Sequence, residues 1–123
     1  MTTTTVRAVE DEPGAAYLWT VSLAGIAFWT THVLVEVSLV PFSQHHHWMV
    51  WCMHGFTVLL ATLTLIAVLL SWRIAHRAAS PEDHTSPAGR TAFLGWFGMF
   101  SNIANFVLIV TEGVYIAVLW IHA

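Results

Sequence analysis

Three long apolar runs fix what this chain can become. They extend from about Ala15 to Val40, from about Trp48 to Trp72 and from about Thr91 to Ile121. A membrane hydrocarbon core takes roughly 20 helical residues to cross, and each run is at least that long. The expected fold is therefore all-α: a membrane protein of three transmembrane helices, up-down-up. Residues 1–14 read as a flexible polar tail, and 15–123 as one three-helix transmembrane domain with spans at about 15–40, 48–72 and 91–121. Pro81 and Pro87 mark a solvated loop over 73–90, since proline interrupts a helix.

Composition argues against a soluble domain. Charged residues make up 9% of the chain and hydrophobic ones 57%, where soluble domains carry about 25% charged residues. There is no lysine, the formal net charge is -3, and no basic patch offers itself to nucleic acid. Cys52 is the only cysteine, so no internal disulfide forms. The start is polar and acidic through Glu10-Asp11-Glu12. It lacks the basic opening and small-residue cleavage site of a secretory signal, so the first run reads as a retained span.

Arginine sets the expected orientation. Arg73, Arg77 and Arg90 flank the second connection, while the first has none. Positive charge favours the cytoplasmic side, which puts the N-terminus inside and the histidine-rich corner over 41–47 outside.

The runs are not uniformly apolar. Gly25, Trp29, His32 and Glu36 fall on one helical stripe of the first span. His54, Thr57, Ala61, Thr64, Val68 and Ser71 form a small and polar stripe on the second, with Leu59, Leu60, Leu63, Ile66 and Leu70 as lipid-facing bulk. Gly95, Gly98, Asn102, Asn105, Ile109, Glu112 and Ile116 form the stripe of the third. Small and hydroxyl-bearing residues typify helix contacts inside membranes. At a rise of about 1.5 Å per residue, His32, Glu36, His54 and Glu112 lie about 6, 12, 9 and 7 Å outward of their span midpoints. A charge at the bilayer centre costs at least ~3 kcal/mol on insertion scales. A shared buried polar cluster of His32, Glu36, His54, Asn105 and Glu112 is the expected solution.

Three chemistries suit these residues. His45, His46, His47, Cys52, Met53 and His54 gather copper-type ligands at the outer corner. His32 and His54, on neighbouring spans, could hold a haem b as axial ligands. Glu36, His32 and Glu112 suit a proton or quinone site, since intramembrane carboxylates often mark such paths. The plainer alternative is structural. Glu36 with His32, and Glu112 with Asn105, are then buried hydrogen bonds that fix helix register. Met49 and Met53 pack, Cys52 fills space, and His45–His47 are a polar loop.

The third span opens with Arg90-Thr-Ala-Phe-Leu-Gly-Trp-Phe-Gly. This resembles an Arg-x-x-Phe-Leu-x-x-x-Gly segment of small multi-span bacterial membrane proteins that accompany haem-copper oxidases and related respiratory complexes. That group also carries a histidine late in the first span and one early in the second, matched here by His32 and His54. Its members often end in a Pro-Cys pair, where this chain has His122-Ala123. The resemblance implies an accessory subunit rather than a catalyst, in a bacterial inner (cytoplasmic) membrane. Composition points the same way. So little extramembrane mass leaves scant room for a substrate pocket, and three helices satisfy one another on one side only. Larger integral membrane subunits, self-association or lipid must cover the rest.

Overall fold

The computed structural model describes residues 14–77 and 87–122. Residues 1–13 of the tail expected over 1–14, and the centre of the second connection, lie outside these. The described residues form three helices: α1 (Ala15–Ser43), α2 (His47–Arg77) and α3 (Pro87–His122). Each is long and apolar enough to cross a membrane, and the chain is an all-α membrane protein.

The helix ends differ from those expected. Proline does not stop α1, which runs past Pro41 to Ser43. A proline removes one N–H, and so close to the end that loss is confined to the final turn. The Ser43 hydroxyl caps the carbonyl of Val40 at 2.7 Å. The corner shrinks to Gln44–His46, closed by His45 N–H to the Phe42 carbonyl at 3.2 Å and Met49 N–H to the His46 carbonyl at 3.0 Å. The solvated loop over 73–90 is shortened from both sides. Helix α2 continues to Arg77, with Ile74 and Ala75 buried, and α3 starts at Pro87, where a missing N–H costs nothing.

Burial on α2 falls on Val50, Met53, Thr57, Leu60, Thr64, Ala67, Ser71 and Ile74. Steps of three and four alternate, the pattern of a helix that keeps one seam against its neighbours. Leu60 is on this seam, 5% exposed, and not on the lipid-facing side. The same repeat appears on α1 at Leu18, Ser22, Gly25, His32, Glu36 and Ser43. On α3 it runs through Gly95, Gly98, Asn102, Asn105 and Ile109.

Contacts along the seams fix the relative direction of the helices. Asn102 touches Val21 of α1 and Ser71 of α2. Farther along α1, His32 meets Thr57 and Glu112. Partners of α1 therefore descend along α2 and ascend along α3, so α2 runs antiparallel to both. Glycines set the closeness of α3. A Cβ at Gly95 would lie 2.6 Å from the backbone N of Ala75, so only glycine admits that approach.

The bundle is polar inside and apolar outside. Ser22, His32, Thr64, Ser71 and Asn102 are all within 2% of full burial, while Leu34, Val37, Trp51, Val58 and Ile121 are each more than 60% exposed. That is the distribution expected where lipid, not water, bathes the helices.

Candidate functional site

His32 lies at the junction of all three helices and is fully buried. Its position on the α1 seam aims the ring at α2 and α3. Nδ1 is 3.0 Å from Glu112 Oε2 of α3. Nε2 is 2.9 Å from the Thr57 hydroxyl of α2 and 3.1 Å from Glu36 Oε1, one turn on along α1. The Thr57 oxygen also lies 2.9 Å from Glu36 Oε1 and 3.0 Å from the Met53 carbonyl. Trp29, one turn before His32, donates its indole N–H to Glu112 Oε1 at 3.1 Å. Phe56 stacks near-parallel to the imidazole, with centroids 6.4 Å apart. The close approach at Thr57 depends on Gly113, where a Cβ would fall 2.6 Å from the Thr57 methyl.

Hydrogen-bond arithmetic sets the proton content of this cluster. A ring nitrogen and a carboxylate oxygen in contact need a hydrogen between them. His32 Nδ1 makes such a contact with Glu112, while Nε2 bonds the Thr57 hydroxyl, which bonds Glu36 Oε1 in turn. A neutral imidazole between two ionised carboxylates supplies one hydrogen only. The Thr57 hydroxyl supplies one more, yet the three contacts Glu112–Nδ1, Nε2–Thr57 and Thr57–Glu36 need three. A further proton therefore belongs to the cluster, on the ring as imidazolium or on one carboxyl group. Each of these arrangements has net charge -1, and they differ only in which atom holds the proton.

Glu36 and Glu112 differ in access. The Glu36 side chain is 7% exposed and that of Glu112 34%. Glu112 thus reaches the outer surface of the bundle within the membrane-spanning length. On the corner side, a cavity of about 560 Å³ lies between the helix ends, with Val40, Ser43, His47 and Met53 among its lining residues. Val40 is one turn beyond Glu36, and Met53 carries the carbonyl that Thr57 contacts.

Not every expected member joins. His54 is half-buried with its ring edge-on to Trp51. None of the cluster's hydrogen bonds runs to it, although it is near enough to act electrostatically on Glu36. Asn105 donates to the Ser101 carbonyl of its own helix at 2.7 Å and packs by Gly25, not by Glu112. Trp29, Thr57 and Gly113 belong to the site without having been singled out for it. Trp29 and Thr57 stood on the polar stripes, at three-residue spacing from His32 and His54, and that spacing was the available signal.

The corner ligands do not converge. His45, His46, His47 and Cys52 are exposed, Met53 is 1% exposed, and His54 is half-buried. Among the described residues no three His, Cys, Asp or Glu side chains are placed to hold one metal ion. The His47 ring instead meets Trp120 edge-on at 5.5 Å. The haem pairing fits no better, because both nitrogens of His32 are already engaged by Glu112, Thr57 and Glu36.

No family model, curated protein or solved structure matches the chain. Its class is therefore set by the fold alone: a three-helix membrane protein with a polar cluster held inside the bundle.

Proposed function

We propose that the chain is a non-catalytic subunit of a larger membrane assembly, of a respiratory or other electron-transfer kind. The observation that carries this reading is Glu112. Its carboxylate is one-third exposed on a surface otherwise made of residues such as Val107, Leu108, Val114 and Tyr115. Against lipid a charged residue near mid-span costs about 3 kcal/mol on insertion scales. A partner helix that offers a hydrogen-bond donor at this depth removes that cost. The respiratory assignment is supported by the Arg90 to Gly98 segment and its resemblance to proteins that accompany haem-copper oxidases. The arginine bias around the second connection supports an N-terminus inside, crossings up, down and up, and a histidine corner outside a bacterial inner membrane.

Gentle detergent extraction followed by native electrophoresis tests this. The chain is expected to migrate with a much larger species, whose other members mass spectrometry identifies. An isolated, stable monomer that turns over a small molecule would end the subunit reading.

A further inference from the structure

Beyond this subunit role, and independently of any partner, we infer that Glu36, His32 and Glu112 form an intramembrane proton-exchange site with two ports. One port is the Glu36 carboxyl, 7% exposed and one helical turn from Val40 in the lining of the corner cavity. The other is the Glu112 carboxyl, at the outer surface of the bundle. Thr57 holds the first port in contact with the ring and Trp29 steadies the second.

The geometry allows a proton to change ends while every contact keeps a hydrogen. With the proton on Glu36, its O–H points to the Thr57 oxygen, the Thr57 O–H points to Nε2, and Nδ1–H points to the Glu112 carboxylate. The Glu36 O–H bond breaks as a new O–H forms on Thr57, whose original O–H breaks as Nε2–H forms, which gives an imidazolium between two carboxylates. The Nδ1–H bond then breaks as an O–H bond forms on Glu112 Oε2. Glu36 is left ionised and accepts from the Thr57 O–H, whose oxygen accepts from Nε2–H. The contacts that carry these steps, Glu36–Thr57, Thr57–Nε2 and Nδ1–Glu112, are 2.9, 2.9 and 3.0 Å long, within hydrogen-bond reach. Net charge stays at -1 throughout, so no step adds charge to the low-dielectric interior.

The same geometry limits what the site does. After a proton has passed from Glu36 to Glu112, Nε2 already carries a hydrogen. A second proton at Glu36 has no vacant ring nitrogen before it, and only the reverse transfer restores the first tautomer. The cluster therefore loads and unloads a proton and does not conduct a stream of them. The titratable groups that face it are Glu36 and His32 from α1, His54 from α2 at a distance, and Glu112 from α3.

Two measurements on the full chain in lipid bilayers test the inference. The first is the infrared spectrum near neutral pH in light and heavy water, where the other side-chain carboxyls, Glu10, Asp11, Glu12, Glu82 and Asp83, with an ordinary range near 4, are ionised. A carboxylic C=O band that shifts in heavy water is expected. It should be lost or displaced in Glu36→Gln, Glu112→Gln and His32→Gln and kept in His54→Gln, with helix content by circular dichroism confirming folding. A missing band, or one unchanged by all three cluster substitutions, overturns the site. The second is proton flux into vesicles under an imposed potential. No sustained flux above empty vesicles is expected, and a sustained flux abolished by Glu36→Gln overturns the two-port exchange in favour of a conducting path.

Discussion

Asn102 reaches the backbone of α1 because Gly25 has no side chain. Its Oδ1 accepts from the Gly25 N–H at 2.8 Å and its Nδ2 donates to the Val21 carbonyl at 2.9 Å. The two groups are the donor and acceptor of a single helical rung, four residues apart. The same Nδ2 reaches Ser71 Oγ at 3.2 Å, so one side chain ties three helices. A Cβ at Gly25 would lie 2.5 Å from that Oδ1 and 3.0 Å from the Asn102 Cα.

Gly25→Ala should therefore destabilise the bundle by about 1–3 kcal/mol, the usual cost of overpacking. Gly55 provides the internal comparison, since a Cβ there meets nothing within 4 Å. Gly55→Ala should be neutral or stabilise by up to about 1 kcal/mol through the better helix propensity of alanine. Unfolding both variants in mixed micelles measures the pair. Equal losses at the two positions would show that helix packing at Asn102 is not the cause.

Much of this architecture is legible in the sequence, and the misplacement of His54 comes from one position of register. The stripe read on the second span and the buried seam of α2 share Thr57, Thr64 and Ser71. Their alternating companions are Met53, Leu60 and Ala67, fully buried, rather than His54, Ala61 and Val68, which are half-buried flanks. Small and polar companions lie on one side of the shared residues, and the buried companions lie on the other. In a bundle of three helices a seam must serve two neighbours, and a bulky Leu60 or Met53 fills the space between them. That one-residue shift is why His54 stood in the expected cluster and is not part of the observed one. His32 and Glu36 suffer no such ambiguity, because four-residue spacing puts them on one face whatever the neighbours are. Glu112 lies both at the depth of His32 and on the polar stripe of the third span, so residue count and helical spacing agree on it.

His32 holds the cluster together, so its loss should be felt on all three helices. His32→Leu leaves Glu36 and Glu112 without their shared partner in a buried site. Removing one member of a buried charged network commonly costs about 3–5 kcal/mol. His32→Gln, which keeps a donor and an acceptor, should lose less. Thermal unfolding followed by circular dichroism ranks the two. A leucine variant as stable as the native chain would mean that the imidazole contributes nothing net to folding.

The proposed orientation has a direct chemical readout. With Cys52 replaced by serine, Gln44→Cys at the exposed corner should react with a membrane-impermeant maleimide added to intact cells. Ser86→Cys, between α2 and α3, should react only after the membrane is opened. The reverse pattern would invert the topology while leaving the bundle itself untouched.

Glu112 distinguishes internal from external demands on one carboxylate. Inward, it accepts from Trp29 and contacts His32; outward, a third of the side chain is uncovered. Glu112→Gln keeps the shape, the acceptor for the Trp29 indole and a hydrogen-bonding group at the surface, and removes only the ionisable proton. Glu112→Leu removes all three and leaves the Trp29 N–H and His32 Nδ1 without their partner, a loss of about 1–3 kcal/mol per unsatisfied buried group. If a partner's donor covers the outer edge, the glutamine variant should still migrate with the large species on native electrophoresis and the leucine variant should dissociate from it. Circular dichroism keeps the readout clean, because a leucine variant that is folded yet released locates the defect at the surface. If the folded leucine variant remains fully assembled, the outer edge of Glu112 is not a partner contact, and the carboxylate serves the cluster alone.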